Sequence, residues 1–280
     1  MAEAPIKAFV CGHPIKHSRS PLIHGYWLEK YELDGSYEAI DVAPEDFAHF
    51  LHTLHEQGYA GGNVTLPHKE SAFKIVEKLD GAAEKIGAVN TIWLENGHLC
   101  GSNTDAYGFA ANLDQQMAGW DSARTAVLLG AGGAARAVIH ALQERGFDEI
   151  RIVNRTEARA RDLQARFGGT TSAHSWEALD DLLASTDLLV NTTSLGMAGS
   201  APLSISLDPL PDHAIVSDIV YVPLQTPLLA DAQERGLRTV EGLGMLLHQA
   251  VAAFERWFGV KPEVTGELRQ RIIDDLRSGK

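Results

Sequence analysis

Lys69 falls in the first turn of a helical pattern that starts near His68, a place where the helix dipole disfavours a cation. An ammonium set there against stability suits proton handling or the holding of an oxyanion. Four polar clusters lie where β-type runs end: residues 12–21, 63–69, 89–91 and 102–105. They supply Ser18, Ser20, Asn63, Thr65, Asn90 and Asp105. Hydroxyls and amides of this kind both donate and accept hydrogen bonds, which matches a small polyhydroxylated ligand. Capping is the plainer alternative for two of them: Ser20 precedes Pro21, and Asp105 precedes Ala106-Tyr107, each a good N-cap.

A second chemistry is written in Gly130-Ala131-Gly132-Gly133-Ala134-Ala135, between the apolar run Thr125 to Leu129 and a helical pattern ending at Arg145. This strand, G-x-G-x-x-A turn and helix let the backbone approach a pyrophosphate, with free N–H groups and a positive dipole end behind it. A dinucleotide is the expected guest. NAD-type sites place a carboxylate about 20 residues further on, whereas an arginine near the ribose accommodates a 2′-phosphate. Here the run Glu149 to Val153 ends in Asn154-Arg155-Thr156, with Arg159 one turn later and no acid at the strand end. The expectation is NADP, with Arg155 forked onto the phosphate or stacked on adenine and Thr156 donating its hydroxyl. The plainer alternative has Thr156 capping the helix over 157–167 while the arginines solvate its outer face.

The elements that must position these residues alternate β and α. Apolar runs at Ala8–Cys11, Tyr37–Val42 and Tyr59–Leu66 alternate with helical patterns over 21–33, 44–57 and 68–79, and Ala88–Leu94 with His98–Gly101 predicts a hairpin about Asn96-Gly97. After the glycine turn, strands near Ile150, Asp187–Asn191, Ala214–Asp218 and Thr239-Val240 alternate with helices over 156–167, 175–185 and 226–235, a doubly wound unit. Helices over 245–258 and 266–277 come after that unit is complete and are expected to return to the first. The chain therefore reads as an α/β protein of two domains. Residues 1–105 plus 242–280 form a substrate-binding catalytic domain with a mostly parallel sheet, and 106–241 a Rossmann-type dinucleotide domain. Gly242-Leu243-Gly244 is a candidate hinge. His49, His52 and His55 fall off the stripe made by Phe47, Phe50, Leu51 and Leu54, so they read as surface residues and no metal site is expected.

The 280 residues carry 24 basic and 37 acidic side chains, a net charge of −13, which argues against nucleic acid or an anionic membrane as partner. No run approaches the ~20 apolar residues of a membrane span. Met1-Ala2-Glu3-Ala4-Pro5 lacks the basic and apolar regions of a signal peptide, so a cytoplasmic monomer or homodimer is expected. Cys11 and Cys100 form no C-x-x-C pair and predict no disulfide framework.

Taken together and in order, these motifs resemble the shikimate dehydrogenase family within the shikimate/quinate dehydrogenases. The resemblance spans nearly the whole chain: G-x-P-x-x-H-S-x-S-P at 12–21, N-V-T-x-P-x-K at 63–69, A-V-N-T at 88–91, N-T-D at 103–105, the glycine turn, N-R-T at 154–156, N-x-T-S-x-G-M at 191–197, D-x-V-Y-x-P-x-x-T-P-L at 218–228 and G-x-x-M-L-x-x-Q at 242–249. It implies that Ser18, Ser20, Asn63, Thr65, Lys69, Asn90, Asp105 and Gln249 hold the hydroxyls and carboxylate of shikimate, with Tyr221 nearby. It implies Lys69 and Asp105 as the catalytic pair. It implies that Gly130, Ala131, Gly132, Gly133, Ala134, Asn154, Arg155, Thr156, Arg159, Thr192, Ile219, Gly242 and Met245 contact NADP. The reaction implied is the reversible NADPH-dependent reduction of 3-dehydroshikimate to shikimate, in aromatic amino acid biosynthesis. Lys69 then either donates the proton to the forming alkoxide or acts as a fixed cation beside it, and the sequence leaves both open. Two other readings stand beside this one: a quinate/shikimate dehydrogenase using NAD, and a non-catalytic NADP sensor, against which the Lys69 and Asp105 pair speaks. One departure is Gly25, where the family pattern continues His-Asn; altered packing behind the serine loop is the expected result.

Overall fold

The computed structural model describes residues 5–278; residues 1–4, on which the absence of a leader was read, lie outside it. The described residues fall into two compact units, one running through Thr104 and resuming at Leu247, the other spanning Asp105–Leu246.

The first unit is built on β1 (Ile6–Gly12), α1 (Ser20–Lys30), β2 (Gly35–Asp41), α2 (Phe47–His52), β3 (Tyr59–Val64), α3 (Lys69–Ile75), β4 (Lys78–Leu79), α4 (Gly81–Ile86), β5 (Thr91–Glu95) and β6 (His98–Ser102). Its sheet runs β2-β1-β3-β5-β6-β4. β1 pairs parallel with both β2 and β3, and the hairpin β5–β6 adds antiparallel strands through β3. The hairpin turns at Asn96 and Gly97, with φ of 53° and 79°, the two positive values that a type I′ turn requires and that Asn-Gly accepts. The strands β1 and β3 are buried from mid-strand onward. Phe9, Cys11, Phe47, Leu51, Leu54, Val64 and Ile92 make the core that holds their ends in place.

The second unit contains α5 (Asp105–Gln116), β7 (Thr125–Leu129), α6 (Gly133–Glu144), β8 (Glu149–Val153), α7 (Glu157–Phe167), β9 (Thr171–His174), α8 (Leu179–Leu183), β10 (Leu188–Asn191), β11 (Ile215–Asp218), α9 (Pro227–Glu234) and β12 (Arg238–Val240). Its sheet order is β12-β11-β10-β7-β8-β9 with every pairing parallel. Numbered by appearance and read from β9, that is 3-2-1-4-5-6, the doubly wound order whose switch point lies between the first and fourth strands. Val127, Leu129, Leu189 and Val216 are buried on these strands, as expected for a sheet covered on both faces.

The last helices, α10 (Leu243–Phe258) and α11 (Gly266–Ser278), carry the chain back into the first unit. There Trp257 Nε1 donates to the Ile92 carbonyl at 2.9 Å and Trp27 Nε1 to that of Glu263 at 3.1 Å. Arg19 pairs with Asp275 at 2.6 Å.

Some expectations need correction. The helix expected over 68–79 ends at Ile75, because Val76 turns extended and Lys78-Leu79 pair with Cys100-Gly101 of β6. The helix over 44–57 is cut to Phe47–His52, and Leu54 completes its apolar stripe from a turn. The helix over 175–185 is a 3-10 turn followed by Leu179–Leu183. The edge strand β9, with the polar sequence Thr-Ser-Ala-His, shows no apolar alternation and escaped the reading. His49, His52 and His55 are exposed, off the buried stripe. A Cβ at Gly25 would meet nothing within 4 Å, so the departure there touches no packing behind the serine loop. No helix among the described residues is long and apolar enough to cross a membrane.

Candidate active site

In the first unit the ends of β1 and β3 are tied to each other by the backbone, with Thr65 N–H donating to Cys11 O at 2.9 Å and His13 N–H to Leu66 O at 3.0 Å. This joins the serine loop to the N-V-T-x-P-x-K segment. The loop before β5 is tied in as well, since Val64 N–H donates to Asn90 O at 2.8 Å and Val89 N–H to Lys69 O at 2.9 Å. Sheet closure therefore gathers the backbones that carry Thr65, Lys69 and Asn90.

Around Asn90, the side chains of Asn63, Thr91 and Thr104 join it in one polar network. Asn63 Nδ2 donates to Asn90 O and to Thr91 Oγ1, both at 3.1 Å, and Asn63 Oδ1 accepts from the Tyr37 hydroxyl at 2.6 Å. Asn90 Oδ1 accepts from Thr104 N–H at 2.8 Å and from Thr91 Oγ1 at 2.9 Å. Asn63, Asn90, Thr91 and Thr104 are all buried, and buried amides of this kind are held in a single orientation.

Lys69 is the first residue of α3 and half-buried. The helix start is anchored by its neighbour His68, which is buried, stacked on Phe47 at 4.3 Å, and in hydrogen-bond contact with Val42 O through Nε2 at 2.7 Å. That carbonyl only accepts, so Nε2 carries the proton. The capping reading of Ser20 is not observed: Ser20 lies inside the helix, Arg19 takes the cap position, and no side chain caps it. Ser18 Oγ accepts from Ser20 N–H at 3.3 Å. Asp105 lies in the first turn of α5 rather than ahead of it, where the dipole favours its charge. It directly follows Thr104 of the Asn90 network. Gln249 is half-buried on α10, and Tyr221 half-buried in the second unit. Burial pushes the Cys11 thiol up to about 12, so it stays a protonated core group.

In the second unit the glycine turn sits at the switch point. Gly130 has φ of +103° and donates its N–H to Val153 O at 2.8 Å. Thr192, at the end of β10, donates its hydroxyl to Leu129 O at 2.7 Å. A Cβ at Gly132 or Gly133 would meet nothing within 4 Å, so the lack of side chains there serves no contact within the chain. It leaves open backbone before the N-terminus of α6, as a pyrophosphate needs. At the end of β8, Asn154 Nδ2 donates to Thr156 O at 2.8 Å, while the Thr156 side chain makes no cap hydrogen bond to α7. The capping alternative for Thr156 is thus not realised, and Arg155, Thr156 and Arg159 are respectively exposed, exposed and exposed along that strand end and first helical turn. Ile219 follows a braced carboxylate: Asp218, 1% exposed, accepts from Asn191 Nδ2 at 2.9 Å, Val220 N–H at 3.0 Å and Thr226 Oγ1 at 2.7 Å. Gly242 packs against the Ile219 carbonyl, where a Cβ would collide with the oxygen. Met245 lies half-buried on α10.

Sequence reasoning missed Tyr37, which touches Asn63. Its strand offers only a half-buried alternation, and nothing in that pattern distinguishes a phenol that reaches a buried amide. The brace around Asp218 lay within a quoted motif, but its role depends on pairings that only the sheet order creates.

A parallel sheet in the 3-2-1-4-5-6 order, with open glycines at its switch point and an arginine in place of the ribose-binding acid, defines a dinucleotide-dependent dehydrogenase of the Rossmann class. Comparison with known proteins narrows this. Residues 10–92 match the shikimate dehydrogenase substrate binding domain, 112–197 the shikimate / quinate 5-dehydrogenase domain, and 242–266 the shikimate 5′-dehydrogenase C-terminal domain. The chain belongs to the shikimate dehydrogenase family. It is 63% identical over 280 residues, covering 100% of both chains, to the shikimate dehydrogenase (NADP(+)) of Chelativorans sp. strain BNC1. The shikimate 5-dehydrogenase of Thermus thermophilus, solved with NADP(H) and shikimate, is similar with a TM-score of 0.85 and 36% identity over 95% of this chain and 99% of that one. The quinate dehydrogenase of Corynebacterium glutamicum in complex with NAD matches with a TM-score of 0.89 at 27% identity, over 96% of this chain and 99% of that one.

Proposed function

We propose that this chain catalyses the reversible NADPH-dependent reduction of 3-dehydroshikimate to shikimate, a step of aromatic amino acid biosynthesis, in the cytoplasm and as a monomer or homodimer. The first unit is the substrate-binding catalytic domain, and the second binds the dinucleotide. The observation that carries the reading is the pairing, in one chain, of the Asn63–Asn90 hydroxyl-binding network with an NADP-type strand end at Asn154-Arg155-Thr156.

When bound, the nicotinamide supplies hydride exchange with a carbinol carbon. The chain's own residues bind, orient and move the proton. Ser18, Ser20, Asn63, Thr65, Asn90 and Gln249 hold the substrate's hydroxyls and carboxylate, with Tyr221 beside them, and so fix which hydroxyl reacts. Lys69 delivers a proton to the substrate oxygen during reduction or stabilises the charge that forms there. Asp105 orients that ammonium and accepts a substrate hydroxyl. Gly130 to Ala134, Thr192, Ile219, Gly242 and Met245 would line the dinucleotide, with Asn154, Arg155, Thr156 and Arg159 at its 2′-phosphate.

Full-length identity to relatives named for NADP(+) favours this reading over a quinate and NAD enzyme, which fold likeness alone does not separate from it. A sensor has no use for the Lys69 and Asp105 pair. The test is the absorbance of reduced nicotinamide after purified protein is mixed with shikimate and NADP. Steady turnover supports the assignment, and NADP binding without turnover refutes it.

A further inference from the structure

Asn63 is locked in a way that limits what it can offer a ligand. Its two amide protons go to Asn90 O and Thr91 Oγ1, both at 3.1 Å. The Asn90 carbonyl can only accept, so nitrogen must face it and the flipped amide is excluded. Asn63 Oδ1 then faces Tyr37, whose hydroxyl must be the donor in the 2.6 Å contact. The buried His24 ring also lies within side-chain hydrogen-bond reach of Asn63, so Oδ1 is an acceptor whose direction is set by Tyr37 and by the ring beside it.

The phenol that completes this lock is itself fixed. β2 carries Tyr37 opposite Ala8 of the central strand, and its ring stacks on His24 at 3.9 Å with 12° between the planes. His24 is fully buried, with Trp27, Phe254 and Trp257 around it at 5.7, 5.8 and 5.7 Å. The Ser20 hydroxyl also faces the phenol oxygen. Tyr37 therefore stands between Ser20 and Asn63, which come from different segments of the chain. Burial pushes its phenol well above the ordinary tyrosine range, so it remains a donor at any working pH.

We propose that Tyr37 is a positioning residue of the substrate site, holding the Asn63 amide in the one orientation in which Oδ1 can accept a hydrogen bond from a substrate hydroxyl. This rests on the reading of Asn63 as a substrate ligand. A locked acceptor takes an alcohol and repels a carboxylate, so Tyr37 and Asn63 together read the hydroxyl end of the substrate.

The experiment is steady-state kinetics of Tyr37→Phe, which keeps the stacked ring, alone and combined with Asn63→Ala, with shikimate and NADP as varied substrates. In the single variant the KM for shikimate should rise about tenfold, roughly the worth of one hydrogen bond. Its kcat should stay within about twofold and the KM for NADP should be unchanged. In the Asn63→Ala background, Tyr37→Phe should add less than about twofold to that KM, because the group it positions is gone. An unchanged shikimate KM in Tyr37→Phe, or the same fold-change with and without Asn63, would overturn the proposal while leaving the enzyme assignment intact. A wild-type protein inactive on shikimate would overturn that assignment, and this proposal with it.

Discussion

Gly130 and Thr192 meet so closely that a Cβ on the glycine would lie 3.0 Å from the threonine hydroxyl and 2.8 Å from Thr193 Cγ2. The same hydroxyl is already committed to Leu129 O at 2.7 Å. The switch point of the second sheet is thus closed by contacts that leave no room for a side chain at the first glycine.

Gly130→Ala should consequently fail on two counts, the contact and the φ of +103°. Holding a non-glycine residue in such a conformation costs of the order of 1–3 kcal/mol. Thermal melting should fall accordingly, and NADP affinity, read by calorimetry, should fall further than stability does. An alanine variant that melts and binds like the wild type would show that the turn tolerates a Cβ.

Arg155 is exposed beside Thr156 at the end of β8. Arg155→Ala should weaken NADP by about tenfold or more while changing NAD affinity little, since a charge-assisted contact to the 2′-phosphate is worth roughly 1.5–3 kcal/mol. Titration of both dinucleotides against wild type and variant checks it. Equal losses for the two would remove the phosphate contact from the account.

His24 predicts a pH dependence of stability. Burial lowers its pKa from 6.5 to about 3, so the folded state holds fewer protons than the unfolded state between those values. The stabilisation is full above pH 6.5 and is lost as pH falls toward 3, with a slope of about 1.4 kcal/mol per pH unit from this group alone. Urea unfolding across pH 7 to 4 should show that fall, and His24→Phe should flatten it by about one proton. An identical slope in the variant would assign the acid sensitivity elsewhere.

Lys69→Ala should cut kcat by about two to four orders of magnitude, the usual worth of a positioned proton donor, with a smaller change in the shikimate KM. Lys69→Arg separates the two roles. Arginine keeps its proton, so retained rate would assign Lys69 to charge stabilisation and lost rate would assign it to proton transfer. A near-normal kcat in Lys69→Ala would exclude both.

Much of this was legible in the residues themselves. The glycine turn, the missing acid after Val153 and the Asn96-Gly97 hairpin are local signals with local causes, and each falls where its pattern put it. What escaped was decided by pairing at a distance. Lys78-Leu79 became a strand because β6 lies beside them, and the polar β9 became one because β8 offers a ladder. Ser20 and Asp105 had the chemistry of helix caps yet fell inside their helices, since capping preference does not fix a boundary to one residue. Tyr37 shows the limit most clearly. Its approach to Asn63 depends on β2 and β3 flanking β1 on opposite sides, and no spacing along the chain encodes that.

The most direct measurement of the central claim is kcat/KM for the purified protein with shikimate and with quinate, each with NADP and with NAD. The account predicts that shikimate with NADP exceeds the other three combinations by at least about tenfold, the effect of a single well-placed interaction. A higher value for quinate or for NAD, or no turnover with any pair despite NADP binding, would contradict it.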